Sequence, residues 1–254
     1  MDIAGEILFK YQEVMNNVFE SKGKLKFGRN AINISSIAQQ YYCEKAIELN
    51  HEHPLPPNKM MKQGEAGHEN IISAAEPVSK EECFKEALIE REKPICIYEL
   101  GIAWEYKGIP IIGLVDEAWF RAGDVEMVIE RKFSNSLKVY SSYHVQAQLY
   151  CLGLGEMGFN NADTLYRIMV LKRACADCPK LEDRSCDIFT NIRSYQCEKG
   201  ESMMYTYEFN KEGILKDLEW AVAFWQGKRD AIPTKVKAKC KACQHKGLCE
   251  FSLA

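Results

Sequence analysis

"ICIYELGIAWEYKGIPIIGLVDEAWFRAGDVEMVIERKF" (residues 95–133) decides the fold. Upstream of it, apolar residues recur at helical spacing. Within it they form β-rich runs punctuated by turn signals, with Gly108 at the first break and "RAGD" (121–124) at the second. This predicts three strands, roughly 95–106, 109–120 and 125–133. The last strand ends in "VIERKF", where an apolar run meets Glu130, Arg131 and Lys132 without a break. In a strand, i and i+2 share a face, so Glu130 and Lys132 point one way and Arg131 the other. A carboxylate partner for Arg131 is expected on a flanking helix.

Outward from this core the chain reads as helical. Ile3, Ile7, Leu8, Tyr11, Met15, Val18 and Phe19 define a helix over 3–20. "NISSIAQQYYCEKAIELN" (33–50) gives a second, with Ser35 or Ser36 as the candidate N-cap. "HEHPLPPNK" (51–59) is a Pro-rich break, and residues 60–75 resume a helical pattern. After the three strands come a helix (141–156), buried strands at 164–172 and 203–209, and a helix over 211–226 capped by Asn210. Strands mixed with helices predict an α/β fold, a mixed sheet flanked by helices. We expect a single domain over 1–254, with a helical N-terminal part (1–75), a core (95–210) and a C-terminal cysteine segment (233–254).

Composition bounds the function. The 254 residues carry 33 basic and 36 acidic side chains, a formal charge of −3. That argues against a surface coated for non-specific nucleic-acid binding but leaves room for a local basic groove. No apolar run is long enough for a transmembrane helix, and the acidic, amphipathic start lacks the features of a signal peptide. A cytoplasmic protein with no membrane partner is expected.

Eleven cysteines are many for such a chain. In a reducing compartment they point to metal rather than disulfides. Cys240, Cys243 and Cys249 form a C-x2-C-x5-C array, and Cys43 is the candidate for a fourth position. Four thiolates suit a 4Fe–4S cluster or a structural zinc, either of which would join the N- and C-terminal segments. Cys175, Cys178, Cys186 and Cys197 form a second array that zinc would suit. Cys83, Cys96 and Cys151 read as isolated or buried thiols.

The chemistry-bearing constellation is built around "ExK". If 109–116 and 125–132 are antiparallel neighbours, Asp116 converges on Glu130. Two carboxylates beside Lys132 suit Mg²⁺ or Mn²⁺. His68, in "KQGEAGHE", would add an imidazole ligand. Gln146 and Tyr150 stand at i and i+4 of one helix and share a face, where they would contact a DNA phosphate or brace the lysine.

Six motifs in this order resemble those of the RecB-like nucleases of the PD-(D/E)xK superfamily, and among them the CRISPR-associated Cas-four family. They are "INISSIAQQYYCEKAIEL", "GEAGHE", "GLVDE", "IERK", "QAQLY" and "CKACQHKGLCEF", spread over 33–251. The resemblance implies a restriction-endonuclease-like fold, with His68, Asp116 and Glu130 as metal ligands and Lys132 as catalytic lysine. Gln146 and Tyr150 would support substrate binding, and Cys43, Cys240, Cys243 and Cys249 would hold a 4Fe–4S cluster. It further implies Mg²⁺- or Mn²⁺-dependent cleavage of single-stranded DNA or DNA ends, often as an exonuclease. The setting would be spacer acquisition beside the CRISPR integrase proteins; an oligomer is compatible with it. Arg131 departs from the family, which more often has an apolar residue there, and the 175–197 cysteine insert is foreign to its pattern. Two rivals stay open: a general repair or recombination nuclease of the same fold, and a non-catalytic iron–sulfur protein that binds DNA. A metal-regulated transcription factor is disfavoured, because the chain offers no helix-turn-helix candidate.

Overall fold

A computed structural model describes residues 2–20, 23–72, 77–176, 178–182, 185–186, 194–196 and 201–254. The three strands form where the period changes: β2 (Ile95–Tyr106), β3 (Ile109–Arg121) and β4 (Asp124–Phe133). Both connections are tight turns with two left-handed residues, Lys107–Gly108 (φ 51°, 74°) and Ala122–Gly123 (φ 50°, 88°). Two such residues in succession match the right-handed twist of the paired strands, and glycine at the second position tolerates the conformation without strain.

Long β3 organises the sheet. One edge pairs antiparallel with β2 from Ile109 to Phe120. The other edge is shared. Short β1 (Ile32–Asn33) pairs in parallel with Ile111 and Ile112, and β4 pairs antiparallel only from Glu117 onward. Between these two partners, β3 residues 113–116 face an opening in the sheet. Beyond β4 lie β5 (Leu165–Leu171, parallel), β7 (Glu201–Glu208) and β6 (Ser194–Gln196), completing a mixed sheet of seven strands.

Helix α5 (Ser141–Met157) joins parallel β4 and β5 across one face. It is buried over almost its whole circumference, from Val145 to Leu154, because helices close in on its other sides. These are α1 (Ile3–Glu20), α2 (Ile34–Glu52) and α7 (Lys211–Trp225), with Asn210 capping α7 at Gly213 N–H. The N-cap of helix α2 falls two or three residues before the expected Ser35 or Ser36, at Asn33, which makes no side-chain cap and is still paired as strand. Helix α3 (Lys59–Ile72) follows the Pro-rich break. The sequence reading missed α4 (Lys80–Leu88), although Ser79 and Glu82 form a capping box. Short α6 (Pro179–Glu182) and α8 (Lys237–Ala242) complete the chain. Among the described residues, no helix is long and apolar enough to cross a membrane.

Candidate active site and cysteine cavity

The opening in the sheet holds the expected acids. Asp116 lies one step beyond the last β3–β4 pair, Glu117 with Ile129. Instead of continuing the ladder, its Oδ2 accepts the Arg131 backbone N–H at 2.8 Å. This fixes the carboxylate against β4 beside Glu130. Glu130 is fully buried: Oε1 is ion-paired with Lys132, and Oε2 has no hydrogen-bond partner. Burial, reinforced by the Asp116 charge, pushes the Glu130 carboxyl up to about 8, against the opposing pull of Lys132. Two acids crowded into one dry opening, with a bare oxygen, are short of positive charge.

His68 reaches the opening from α3. Its Nδ1 is 3.9 Å from Asp116 Oδ2, and its ring stands edge-on to Phe133, with centroids 5.6 Å apart. The preceding glycine makes this approach feasible, since a Cβ on Gly67 would fall 2.5 Å from the Phe133 ring. His68, Asp116 and Glu130 are thus neighbours. Among the described residues, however, no three His, Cys, Asp or Glu side chains already stand at the spacing needed to hold a metal ion.

On the helix side, Lys132 Nζ donates to Gln146 Oε1 at 3.1 Å, and Gln146 Nε2 donates to Tyr150 Oη at 2.8 Å. The i,i+4 pair on α5 therefore forms a relay that orients the lysine. Burial lowers the Lys132 pKa, but Glu130 and Asp116 outweigh it and leave the ammonium held above its ordinary value. Two residues escaped the sequence reading. Tyr143 places its ring 5.6 Å from Lys132 Nζ; its position three residues before Gln146 on the same helix was the available signal. Glu99 lies between Tyr98 and Leu100, which pair with Glu117 and Val115, so in the register it stands opposite Asp116 where the ladder skips a pair. It is exposed and carries a left-handed backbone (φ 49°), strain of the kind that gathers at functional sites. No sequence signal marks it.

Arg131 finds a carboxylate on the neighbouring strand β3, Glu117, where the sequence pointed to a flanking helix, and both side chains are 3% exposed. Glu117 also accepts the Trp119 indole N–H at 2.6 Å. The pair lies on the face opposite Glu130 and Lys132, beside a small apolar cluster of Ile129, Met169, Leu171 and Leu181. Cys175, Cys178 and Cys186 pack against that same cluster, whereas Cys197 lies outside the described residues.

Cys43, Cys240, Cys243 and Cys249 line one small cavity between α2 and the C-terminal segment. The α2 backbone breaks out of helical geometry at Cys43 (φ −175°, ψ 116°), and the Thr234 N–H points to its Sγ at 3.4 Å. Tyr42 Oη donates to Lys239 O (2.9 Å), and Lys239 Nζ donates to Tyr41 O (2.8 Å), seating α8 on α2. Burial raises the Cys243 thiol pKa, and the charges of Cys43, Cys249 and Cys240 raise it further.

No family model matches the chain, and no curated protein matches it. Among solved structures, one described as "Crystal structure of SSO0001" aligns with 100% of this chain and 98% of its own, at 16% identity and a TM-score of 0.46.

Proposed function

We propose that the chain is a divalent-metal-dependent deoxyribonuclease of the RecB-like, PD-(D/E)xK type that it resembles. The reading is carried by one observation: the buried Glu130 carboxylate, with one oxygen unpartnered, crowded against Asp116 and ion-paired with Lys132. The donor set is hard oxygen plus one imidazole, which fits Mg²⁺ or Mn²⁺, and His68, Asp116 and Glu130 would hold the ion. Such an ion, when bound, polarises a phosphoryl oxygen and makes its bound water more acidic.

The chain's own groups would do the rest. Lys132, oriented by Gln146 and Tyr150, stabilises negative charge growing on the phosphoryl oxygens. Arg131 N–H holds Asp116 in register, so the acid spends no reorganisation during reaction. On the resemblance, the substrate is single-stranded DNA, trimmed as an exonuclease in CRISPR spacer acquisition. On the same resemblance, Cys43, Cys240, Cys243 and Cys249 would hold a 4Fe–4S cluster acting as a staple, a reading supported by their lining one cavity.

The test is cleavage of end-labelled single-stranded DNA with Mn²⁺. Glu130→Ala and Lys132→Ala are each expected to lower the rate by roughly 10²-fold or more. Cleavage at the wild-type rate in either variant would refute the assignment. For the cluster, the purified protein is expected to be brown and to contain iron. A colourless protein with stoichiometric zinc would refute it.

A further inference from the structure

A cavity of about 650 Å³ lies between the C-terminal half of α2, the start of α3 and the loop after α8. It takes no part in the acid–lysine chemistry. Two groups in it lack the partners that their surroundings demand, and an aromatic pair lines it beside them. Arg29 is half-buried, stacked over Trp225 at 4.9 Å and bonded only to the Ser36 hydroxyl (3.0 Å), with no carboxylate opposing its charge among the described residues. Phe27 and His51 form a ring pair with centroids 4.5 Å apart, and Phe27 is presented by a left-handed backbone (φ 61°). His245 is 5% exposed; its Nε2 lies 3.4 Å from Asn50 Oδ1, and in the tautomer that donates there Nδ1 is a buried acceptor with no partner among the described residues.

An uncompensated cation, an aromatic pair and an unsatisfied acceptor together define an occupant. It must carry an anion, a flat ring and an N–H donor. Those are the parts of a nucleotide. The cavity lies within the size range of small-molecule sites. Its place also fits: Met61 on the rim precedes His68 by seven residues of α3, roughly 10 Å. That spans about three nucleotides at a stacked rise of ~3.4 Å.

We propose that this cavity is a nucleotide subsite for the strand that runs on from the cleavage site. Arg29 takes a backbone phosphate, Phe27 and His51 stack the base, and His245 Nδ1 accepts from the base's amino or imino N–H. This rests on the DNA reading above. Every DNA base has a π-face and keeps at least one N–H donor, so the subsite grips without selecting sequence. One wall is Ala242–His245, inside the cysteine segment. Whatever holds Cys243 therefore also holds the grip.

The experiment measures binding of fluorescent oligodeoxynucleotides of about four and about twelve nucleotides, bracketing the site sizes of single-strand binders, in EDTA. A third probe is the longer oligonucleotide with one abasic position, moved along the strand. Arg29→Gln and His245→Phe are expected to weaken the longer strand by roughly fivefold to a hundredfold, the worth of one stacked base, and to leave the shorter one unchanged. One abasic position should reproduce the loss in the wild type. Equal affinity of both variants and wild type for the longer strand overturns the subsite while leaving the nuclease reading intact. No binding of any strand by the wild type overturns the reading itself. Photo-crosslinking of 5-iodouracil strands to the unmodified protein is independent of how the variants fold. A crosslink on Phe27, Tyr42 or His51 supports the subsite, and crosslinks confined to other regions reject it.

Discussion

Glu130 is the residue at which burial and charge meet. Burial and the Asp116 charge push its carboxyl up to about 8, against the pull of Lys132. In the unfolded chain it would titrate near ~4.3. Between these values the folded state holds a proton that the unfolded state has released, so stability falls as pH rises through the window and levels off above about 8. Glu130→Gln removes the titration. The variant is therefore expected to melt higher than wild type at pH 8 without metal, and the gap should shrink towards pH 5. Added Mn²⁺ should raise the wild-type melting temperature more at pH 8 than at pH 5.5, since the cation competes with the proton, and should do little for the variant. Thermal scans at several pH values check this. A pH-independent gap would mean that Glu130 is ionised throughout.

At the scale of elements, β3 and β4 carry charge on both faces, and the two faces differ in origin. The Glu130–Lys132 pair is local to one strand, two residues apart, and the period-two rule made it legible. The Arg131–Glu117 pair crosses strands, and its partner depends on a register that no single segment encodes. The same distinction runs through the molecule. Helix α1, the three central strands, α5 and the Asn210 cap follow from local periodicity and capping chemistry. Short β1, the shared edge of β3 and the left-handed Glu99 arise from tertiary packing and left no local trace. Site positions were legible for the same reason: each sits on a regular element with a readable face. The Phe27–Arg29–His245 cavity joins segments over 200 residues apart and was not. The cross-strand pair is itself testable. Truncating Arg131 strands Glu117 as a buried charge, so Arg131→Ala is expected to cost about 3–5 kcal/mol in urea denaturation. Replacing both by apolar residues of similar size, Arg131→Met with Glu117→Leu, should recover most of that loss. A single-variant cost below about 1 kcal/mol would show that water reaches the pair.

Across the whole molecule, two features fasten α2 to the C-terminal segment, and one of them is built without cysteine. The cysteine cavity is the first. The second is a polar clamp one residue away on α2. Glu44, fully buried, accepts two bonds from Arg229 (2.6 and 2.5 Å), one from the Ile232 N–H (2.8 Å) and one from Gln40 (2.7 Å). Gln40 in turn accepts the Trp225 indole N–H at 2.7 Å. Every oxygen of this buried acid is satisfied, in contrast to Glu130, which marks Glu44 as structural. The clamp seats the segment leading into the tail before any cluster is considered. Glu44→Ala would leave Arg229 and the Ile232 N–H facing a dry hole, and is expected to lower stability by about 3–5 kcal/mol at unchanged metal content. Hydrogen exchange separates the two fasteners. Amides of 229–236 should exchange faster in Glu44→Ala, whereas Cys43→Ser should speed exchange mainly in 237–250. If Cys43→Ser alone freed both segments equally, the cysteine centre would be the sole fastener and the clamp would merely follow it.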